Sequence, residues 1–314
     1  MHQHRILPGV GLMLAFCALA PLLDVHAKLA SDAIPVGQIT FARFAVQGAL
    51  MLPVVLLMRL GWGMSPRQMG MVALRALFLL LATYGFVAAI AVMPIADALA
   101  IAFVEPFIVL LLGWLVFGEK VGPRRIAASA VGFAGALLVI QPSFVAFGAA
   151  AFYPLGTAVA FACYMLITRH MSLYFHPVTM QMQTSVAGVL LCLPVLVWAE
   201  GTGIAALDPV MPQGIYWLWL FGVGFWATLA HMAITYALQL APSSTLVPLH
   251  YLEMVSAVTF GYLVFGDFPN LLTWAGIATI VASGLYIIHR ERLAARHPPL
   301  AVPPAPPPAG PAAG

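Results

Sequence analysis

Apolar runs follow one another along nearly the whole chain, and each is about as long as a helix must be to cross a bilayer. The runs cover residues 8–28, 35–58, 68–92, 95–117, 123–141, 151–170, 177–199, 214–239, 243–265 and 269–289. Of the 314 residues, 63% are hydrophobic and 7% are charged, which exceeds what a soluble domain can bury. We therefore predict an all-α polytopic membrane protein of ten transmembrane helices, surrounded by membrane lipid.

The second half of the chain repeats the first. Pro94, Glu105 and Gly118 recur 148 positions later as Pro242, Glu253 and Gly266. The earlier runs match at an offset of 141, where LPV at 52–54 recurs at 193–195. Five helices in each half is an odd number, so the second half must be inverted relative to the first. We expect repeats at 8–141 and 151–289, followed at 290–314 by a Pro/Ala-rich tail that cannot build a core and is disordered.

The distribution of Lys and Arg predicts the orientation. If the N-terminus is cytoplasmic, ten of the 13 lie on the cytoplasmic side, as the positive-inside rule requires. These ten are Arg5, Arg59, Arg67, Lys120, Arg124, Arg125, Arg169, Arg290, Arg292 and Arg296. Lys28 lies at an outer helix end, and Arg75 is expected to extend its guanidinium to the cytoplasmic surface. The start MHQHR and the apolar run after it also resemble a cleaved signal peptide, but the repeat requires this first helix.

Several protein classes are disfavoured. With a net charge of +3 and so few charged residues, the chain offers no basic patch for nucleic acid. Cys17, Cys163 and Cys192 are isolated within apolar runs, which predicts packing roles and neither a disulfide framework nor a metal cluster. No cofactor is implied. An intramembrane enzyme is disfavoured because HExxH, GxSxG and paired catalytic aspartates are absent from the sequence.

The run MPIADALAIAFVEPFIVLLLGWLVFGE, followed by the Gly-rich AASAVGFAGALLVI, resembles the EamA-type branch of the drug/metabolite transporter superfamily. The second copy departs from the pattern in two ways, because Glu253 is followed by Met254 instead of proline and the helix-ending acid is Asp267. Within the family, the chain is most similar to carriers of S-adenosylmethionine and riboflavin. The resemblance implies a carrier of a small-molecule metabolite in the plasma (bacterial inner) membrane, with both termini cytoplasmic.

Two carboxylates are predicted near the membrane centre. Glu105 lies about eleven residues into its run, or ~16 Å at 1.5 Å per residue, and Glu253 lies equally deep from the opposite face. An ionised carboxylate facing lipid would cost several kcal/mol, so both should face the protein interior. Two roles remain open. The pair can carry protons that couple transport, or it can fasten crossing helices together.

Other polar residues are candidates for the transport pathway. Arg43 lies ~12 Å below the outer end of its helix and can pair with Glu105 or Asp24, or face a solvated outer cavity. His250, one turn before Glu253, and His231 can titrate near neutral pH, although a histidine in a membrane is often a helix contact. Planar cargo would stack on aromatic rings and be fixed by polar side chains. Candidate lining residues are Tyr84, Gln183, Tyr236, Tyr251 and His231.

Prolines mark candidate hinges. Pro106 and Pro248 lie near the two glutamates, and Pro53 and Pro194 occupy equivalent positions of the two halves. Paired kinks of this kind indicate a central site, although they can also serve packing. Ala128, Gly132 and Ala136 form a small-residue stripe for an internal contact or, less favoured, a homodimer contact.

Together these features predict a secondary transporter that works by alternating access, with proton coupling as one option. A structural or signalling membrane protein is the main alternative, yet it would not need charged groups at the midplane in both halves.

Overall fold

The computed structural model describes residues 6–61, 63–118, 122–267 and 271–296, which are helical and contain no strand. Twelve α-helices follow in order: α1 (Ile6–Ser31), α2 (Val36–Leu57), α3 (Pro66–Ile90), α4 (Ile95–Ala102), α5 (Glu105–Phe117), α6 (Pro123–Phe147), α7 (Phe152–Met171), α8 (Pro177–Ala199), α9 (Tyr216–Leu240), α10 (Ser243–His250), α11 (Glu253–Phe265) and α12 (Leu271–Arg296). A 3₁₀ turn at Gly148–Ala151 precedes α7. Each of the ten predicted runs is helical, and two of them are broken into pairs, α4–α5 and α10–α11.

The described helices have the length and composition of membrane spans. Seven of them, counting α4 and α5 together, are long and apolar enough to cross a bilayer. Large apolar side chains such as Leu57, Trp198 and Leu271 are exposed on the outside of the bundle. Because a helix satisfies its own backbone hydrogen bonds, such an exterior suits a lipid environment. The chain is a multi-pass membrane protein.

The sequence repeat is reproduced helix by helix. α4 and α10 are both eight residues long, α5 and α11 are both 13 residues long, and each pair is offset by 148 positions. α5 and α11 end at Gly118 and Gly266, whose φ angles of 61° and 74° favour glycine. The two halves are therefore duplicates in register.

The prediction of two continuous helices around the glutamates is wrong. α4 ends at Ala102 and α5 begins at Glu105, while α10 ends at His250 and α11 begins at Glu253. Glu105 and Glu253 thus lie at the start of half-helices and not in mid-helix. Pro106 removes one backbone donor at the first break. Met254 occupies the equivalent position at the second break and donates to the Tyr251 carbonyl at 3.2 Å, so the second break forms without proline.

The helices of one half pack mainly against those of the other. α1 packs on α9 and α3 on α7, while α2 packs on α8 and α6 on α12, the exchange expected for two halves related by a two-fold axis. Glycines permit the close approaches. A Cβ atom on Gly188 would lie 2.5 Å from the ring of Phe44, and one on Gly132 would lie 2.7 Å from the ring of Tyr251. Gly132 of the small-residue stripe therefore serves an internal contact.

The longest connection, between α8 and α9, is an ordered loop over the start of α2. Asp208 accepts hydrogen bonds from the backbone of Gly201 and Gly203, both at 2.9 Å. Gln38 exchanges two hydrogen bonds with the backbone of Val210, at 2.8 and 2.9 Å. The loop thereby joins the two halves at the face where α1 ends.

Some sequence predictions fall outside the described residues. These predictions concern Arg5, Glu119, Lys120 and the predicted tail from residue 297 onward. The side chains of five further residues also lie outside the description: Arg124, Arg125, Arg290, Arg292 and Arg296. The backbone of α12 continues to Arg296, beyond the predicted start of the tail at residue 290.

Candidate functional site

The two glutamates meet at one histidine. Nδ1 of His250 lies 2.9 Å from Oε2 of Glu105 and is hydrogen-bonded to it. Nε2 of the same ring lies 2.8 Å from Oε2 of Glu253, a close ion-pair contact that lacks the alignment of a hydrogen bond. All three residues are buried. His250 therefore bridges carboxylates from the two halves of the chain.

The helix breaks position these three groups. Glu105 and Glu253 are the first residues of α5 and α11, where the positive end of the helix dipole favours a carboxylate. His250 is the last residue of α10, where the negative end favours a protonated imidazole. Each group thus lies at the helix end that suits its charge.

The bridge borders an internal cavity of about 100 Å³. Six pairs of repeat-equivalent residues line it, at offsets of 141 or 148 positions: Phe16 and Thr157, Ala20 and Phe161, Ala82 and Ala230, Thr83 and His231, Ala102 and His250, and Glu105 and Glu253. The cavity therefore lies between the two halves, on their relating axis. It is smaller than the roughly 300–1,000 Å³ of typical small-molecule pockets. The cavity would have to widen to hold a metabolite.

Aromatic rings enclose the histidines. Phe16 and Phe161 are stacked, with ring centroids 6.5 Å apart and planes inclined by 18°. The His250 ring lies 5.3 Å from Phe16, 5.8 Å from Phe161 and 5.9 Å from Phe103. These apolar faces surround the polar bridge and would also suit a planar ring of a ligand.

Arg43 does not form either of its predicted ion pairs. Its side chain is fully buried and lines the cavity, as do Asp24 and both glutamates. The described residues supply no hydrogen-bond acceptor to Nε, Nη1 or Nη2. The guanidinium lies 4.7 Å from the ring centre of Phe44, a cation–π contact that leaves its N–H groups unpaired.

His231 connects the cavity to a buried network around Arg75. Its Nδ1 lies 3.0 Å from the hydroxyl of Tyr164, which accepts from Arg75 at 3.0 Å. The Arg75 guanidinium also donates to Thr168 at 2.8 Å, to Gln181 at 3.0 Å and to Thr184. Arg75 is fully buried, so the prediction that it reaches the membrane surface is wrong. Its network joins α3 of the first half to α7 and α8 of the second.

The remaining predicted lining residues lie elsewhere. Tyr84, Gln183, Tyr236 and Tyr251 do not line the cavity. Tyr251 lies in the second helix break, and its hydroxyl donates to the Phe103 carbonyl in the first break at 3.5 Å. Tyr236 packs against His176, with ring centroids 6.3 Å apart.

The prolines fall into two groups. Pro53 and Pro194 lie inside α2 and α8, with exposed side chains. Pro106 is the second residue of α5, and Pro248 lies inside α10, ahead of the break at Tyr251–Leu252. Pro106 alone is therefore part of a break.

Sequence reasoning missed several residues of the site. Phe16, Phe161, Phe103 and Thr83 line the cavity, and Tyr164 connects it to Arg75. Phenylalanine is common in apolar helices, so residue type alone did not mark the three phenylalanines as part of a site. The repeat would have found two of them, because Thr83 matches the candidate His231 and Phe103 matches the candidate Tyr251, each 148 positions later.

Two repeats with broken helices that meet at buried charges characterise a secondary transporter. A sequence profile of the EamA-like transporter family matches residues 7–141 and 148–289, which correspond to the two halves of the fold. The chain belongs to this family and is a secondary transporter.

Relatives extend over most of the chain. A riboflavin transporter of Rhizobium johnstonii is 30% identical over 225 residues, covering 71% of this chain and 72% of the relative. An S-adenosylmethionine uptake transporter of Rickettsia felis is 23% identical over 288 residues, covering 92% of this chain and 95% of the relative. One crystal structure, 18% identical, matches with a TM-score of 0.71 over 93% of this chain and 99% of its own, which supports the fold.

Proposed function

We propose that the chain carries a planar, ring-containing metabolite across the plasma membrane by alternating access, with riboflavin as the first candidate. The observation that supports this most is the cavity on the axis between the halves, where His250 bridges Glu105 and Glu253 beside stacked aromatic rings. Ten transmembrane helices in two inverted halves would rock around this cavity. Both termini would lie in the cytoplasm.

Riboflavin is favoured because a 30% identical relative is named for it and because aromatic faces suit an isoalloxazine ring. S-adenosylmethionine is the second candidate. Asp24, Glu105 and Glu253 line the cavity, and three carboxylates suit its cationic sulfonium and ammonium groups.

Uptake by proteoliposomes tests the cargo. Liposomes that contain the protein should accumulate labelled riboflavin faster than empty liposomes, and unlabelled riboflavin should compete better than S-adenosylmethionine. The reverse order of competition would assign the second candidate. Equal uptake by protein-containing and empty liposomes for both compounds would refute this cargo class.

We further propose that the bridge couples transport to protons. Oε1 of Glu105 has no hydrogen-bond partner among the described residues and lies at the cavity, so it can accept a proton. The charged or titratable groups around the bridge are Cys17, Asp24, Arg43, Glu105, His231, His250, Tyr251 and Glu253. The double variant Glu105→Gln/Glu253→Gln should lose the response of uptake to an imposed pH gradient. Glu200→Gln, which changes an exposed carboxylate outside the cavity, is the control and should keep the response. An unchanged response in the double variant would refute coupling and leave the carrier intact.

A further inference from the structure

Arg43 presents unpaired donors to the cavity. It is 0% exposed, yet the described residues give Nε, Nη1 and Nη2 no hydrogen-bond acceptor. A buried guanidinium without acceptors is unfavourable, because five N–H groups and a full charge have left water without replacement. The cation–π contact with Phe44 offsets only part of this, since it uses the face of the ion and not its N–H groups. An unsatisfied group of this kind requires a functional explanation.

The backbone that carries Arg43 is held in place on both sides. The next residue, Phe44, packs against Gly188 of α8, where a Cβ atom would lie 2.5 Å from the ring. Val46 packs against Gly224 of α9 so closely that a Cβ atom there would collide with it. α2 is thus wedged between two helices of the other half, and Arg43 cannot reach solvent by a small backbone shift. Its donors must be satisfied from within the cavity.

We propose that Arg43 recognises the cargo by donating two parallel hydrogen bonds to a pair of adjacent acceptor atoms. The planar fork of a guanidinium matches such pairs, as in a carboxylate or the carbonyl edge of a ring. This inference deepens the proposed function, since both cargo candidates fit. Riboflavin offers two adjacent acceptor pairs on its isoalloxazine ring, C2=O with N1 and C4=O with N5, and S-adenosylmethionine offers a carboxylate. Asp24, Glu105 and Glu253, in the same cavity, would receive the donor groups of the cargo.

Two buried polar residues of the chain provide matched controls. Gln47, one turn from Arg43 on α2, is also 0% exposed, and both atoms of its amide lack a partner among the described residues, but it does not line the cavity. Arg75 is equally buried and makes four hydrogen bonds. A change at Gln47 therefore shows the effect of an unpaired buried group that lies outside the cavity. A change at Arg75 shows the effect of a buried arginine whose donors are paired.

The test combines the thermal stability of the cargo-free protein in detergent with the binding of riboflavin and S-adenosylmethionine. Arg43→Met should raise the melting temperature, because it removes buried N–H groups that lack hydrogen-bond acceptors, and should weaken binding of the preferred compound roughly 10- to 100-fold. Arg43→Lys should also weaken binding, because it keeps the charge and loses the fork. Gln47→Leu should raise the melting temperature and leave binding unchanged, and Arg75→Met should lower the melting temperature.

Comparison of ligands identifies the acceptor pair. If S-adenosylmethionine binds, its decarboxylated form, which keeps the rings, the sulfonium and the amine but lacks the carboxylate, should bind wild type more weakly than S-adenosylmethionine does. The two compounds should bind Arg43→Met equally tightly. If riboflavin binds, its 1-deaza and 5-deaza analogues, which each replace one acceptor nitrogen by C–H, identify the contacted pair. The analogue that lacks the contacted nitrogen should bind wild type more weakly than riboflavin does and should bind Arg43→Met as tightly as riboflavin does. The inference is overturned if Arg43→Met lowers the melting temperature as Arg75→Met does, or if it binds the preferred compound as tightly as wild type. Failure of wild type to bind either compound would refute the proposed cargo, and the melting temperature of Arg43→Met would still decide whether Arg43 is an unpaired charge held for a ligand.

Discussion

His250 and Glu105 are hydrogen-bonded at 2.9 Å although 145 residues separate them in the chain. The contact joins the end of α10 to the start of α5, and Glu253 completes it from α11. Because one histidine serves both carboxylates, we expect its loss to reduce stability more than the loss of either carboxylate.

His250→Leu should therefore be the most destabilising of the three single changes at the bridge. It leaves two buried carboxylates without their shared partner, which costs about 3–5 kcal/mol. Glu105→Gln and Glu253→Gln each keep one charged contact and should cost about 1–3 kcal/mol. Melting temperatures in detergent measure the order, with exposed His289→Asn as the neutral control. An equal loss in all three variants would contradict the bridging role.

Arg75→Met should destabilise the protein by about 1–3 kcal/mol, since it leaves the buried side chains of Thr168, Gln181, Thr184 and Tyr164 without their donor. The matched change Arg67→Met, at an exposed position on the first turn of α3, should have little effect. Thermal unfolding in detergent compares the two. Equal melting temperatures would show that the network contributes nothing to stability.

Gly188→Ala should separate α2 from α8. The added methyl group would lie 2.5 Å from the Phe44 ring, and overpacking of this kind costs about 1–3 kcal/mol. Gly156→Ala in α7, where a Cβ atom meets nothing within 4 Å, should leave stability unchanged or raise it by about 0.5–1 kcal/mol. The melting temperatures of the two variants should move in different directions, and a tolerated Gly188→Ala would argue against the close contact.

Labelling of single cysteines should establish the orientation. Ala205→Cys, in the exposed loop after α8, should react in intact cells with a maleimide that cannot cross membranes. Gly63→Cys, between α2 and α3, should react only after the cells are permeabilised. Both variants are made without Cys17, Cys163 and Cys192. Labelling of Gly63→Cys in intact cells would invert the predicted topology.

The helices and the repeat could be predicted from the sequence because both depend on local properties. Membrane-length apolar runs mark helices, and matching residues such as Pro94 and Pro242 set the register of the halves. The family followed from the same residues. The helix breaks could not be predicted, because Met254 carries no local signal for a break and the second one still forms.

The site was predicted in part. Glu105, Glu253, His231, His250, Asp24 and Arg43 all line the cavity. Their partners were not predictable, because partner choice depends on how α10 meets α5 and how α3 meets α7. Arg75 shows the limit most clearly, since its acceptors lie about 90 to 110 positions away on other helices.

The two halves are joined by chemically different contacts. Arg75 joins them through a fully buried network, and the position equivalent to it in the second half is Val223, 148 residues later, which cannot form such a network. At the face where α1 ends, Lys28 and the partly exposed Asp267 join them through an ion pair at 3.7 Å. An exposed pair of this kind is worth about 0–1 kcal/mol and weakens with salt. If the halves rock as proposed, the cargo-free carrier does not populate its two conformations equally. The conformation in which the Arg75 network is intact is the more populated one, even before a gradient is applied.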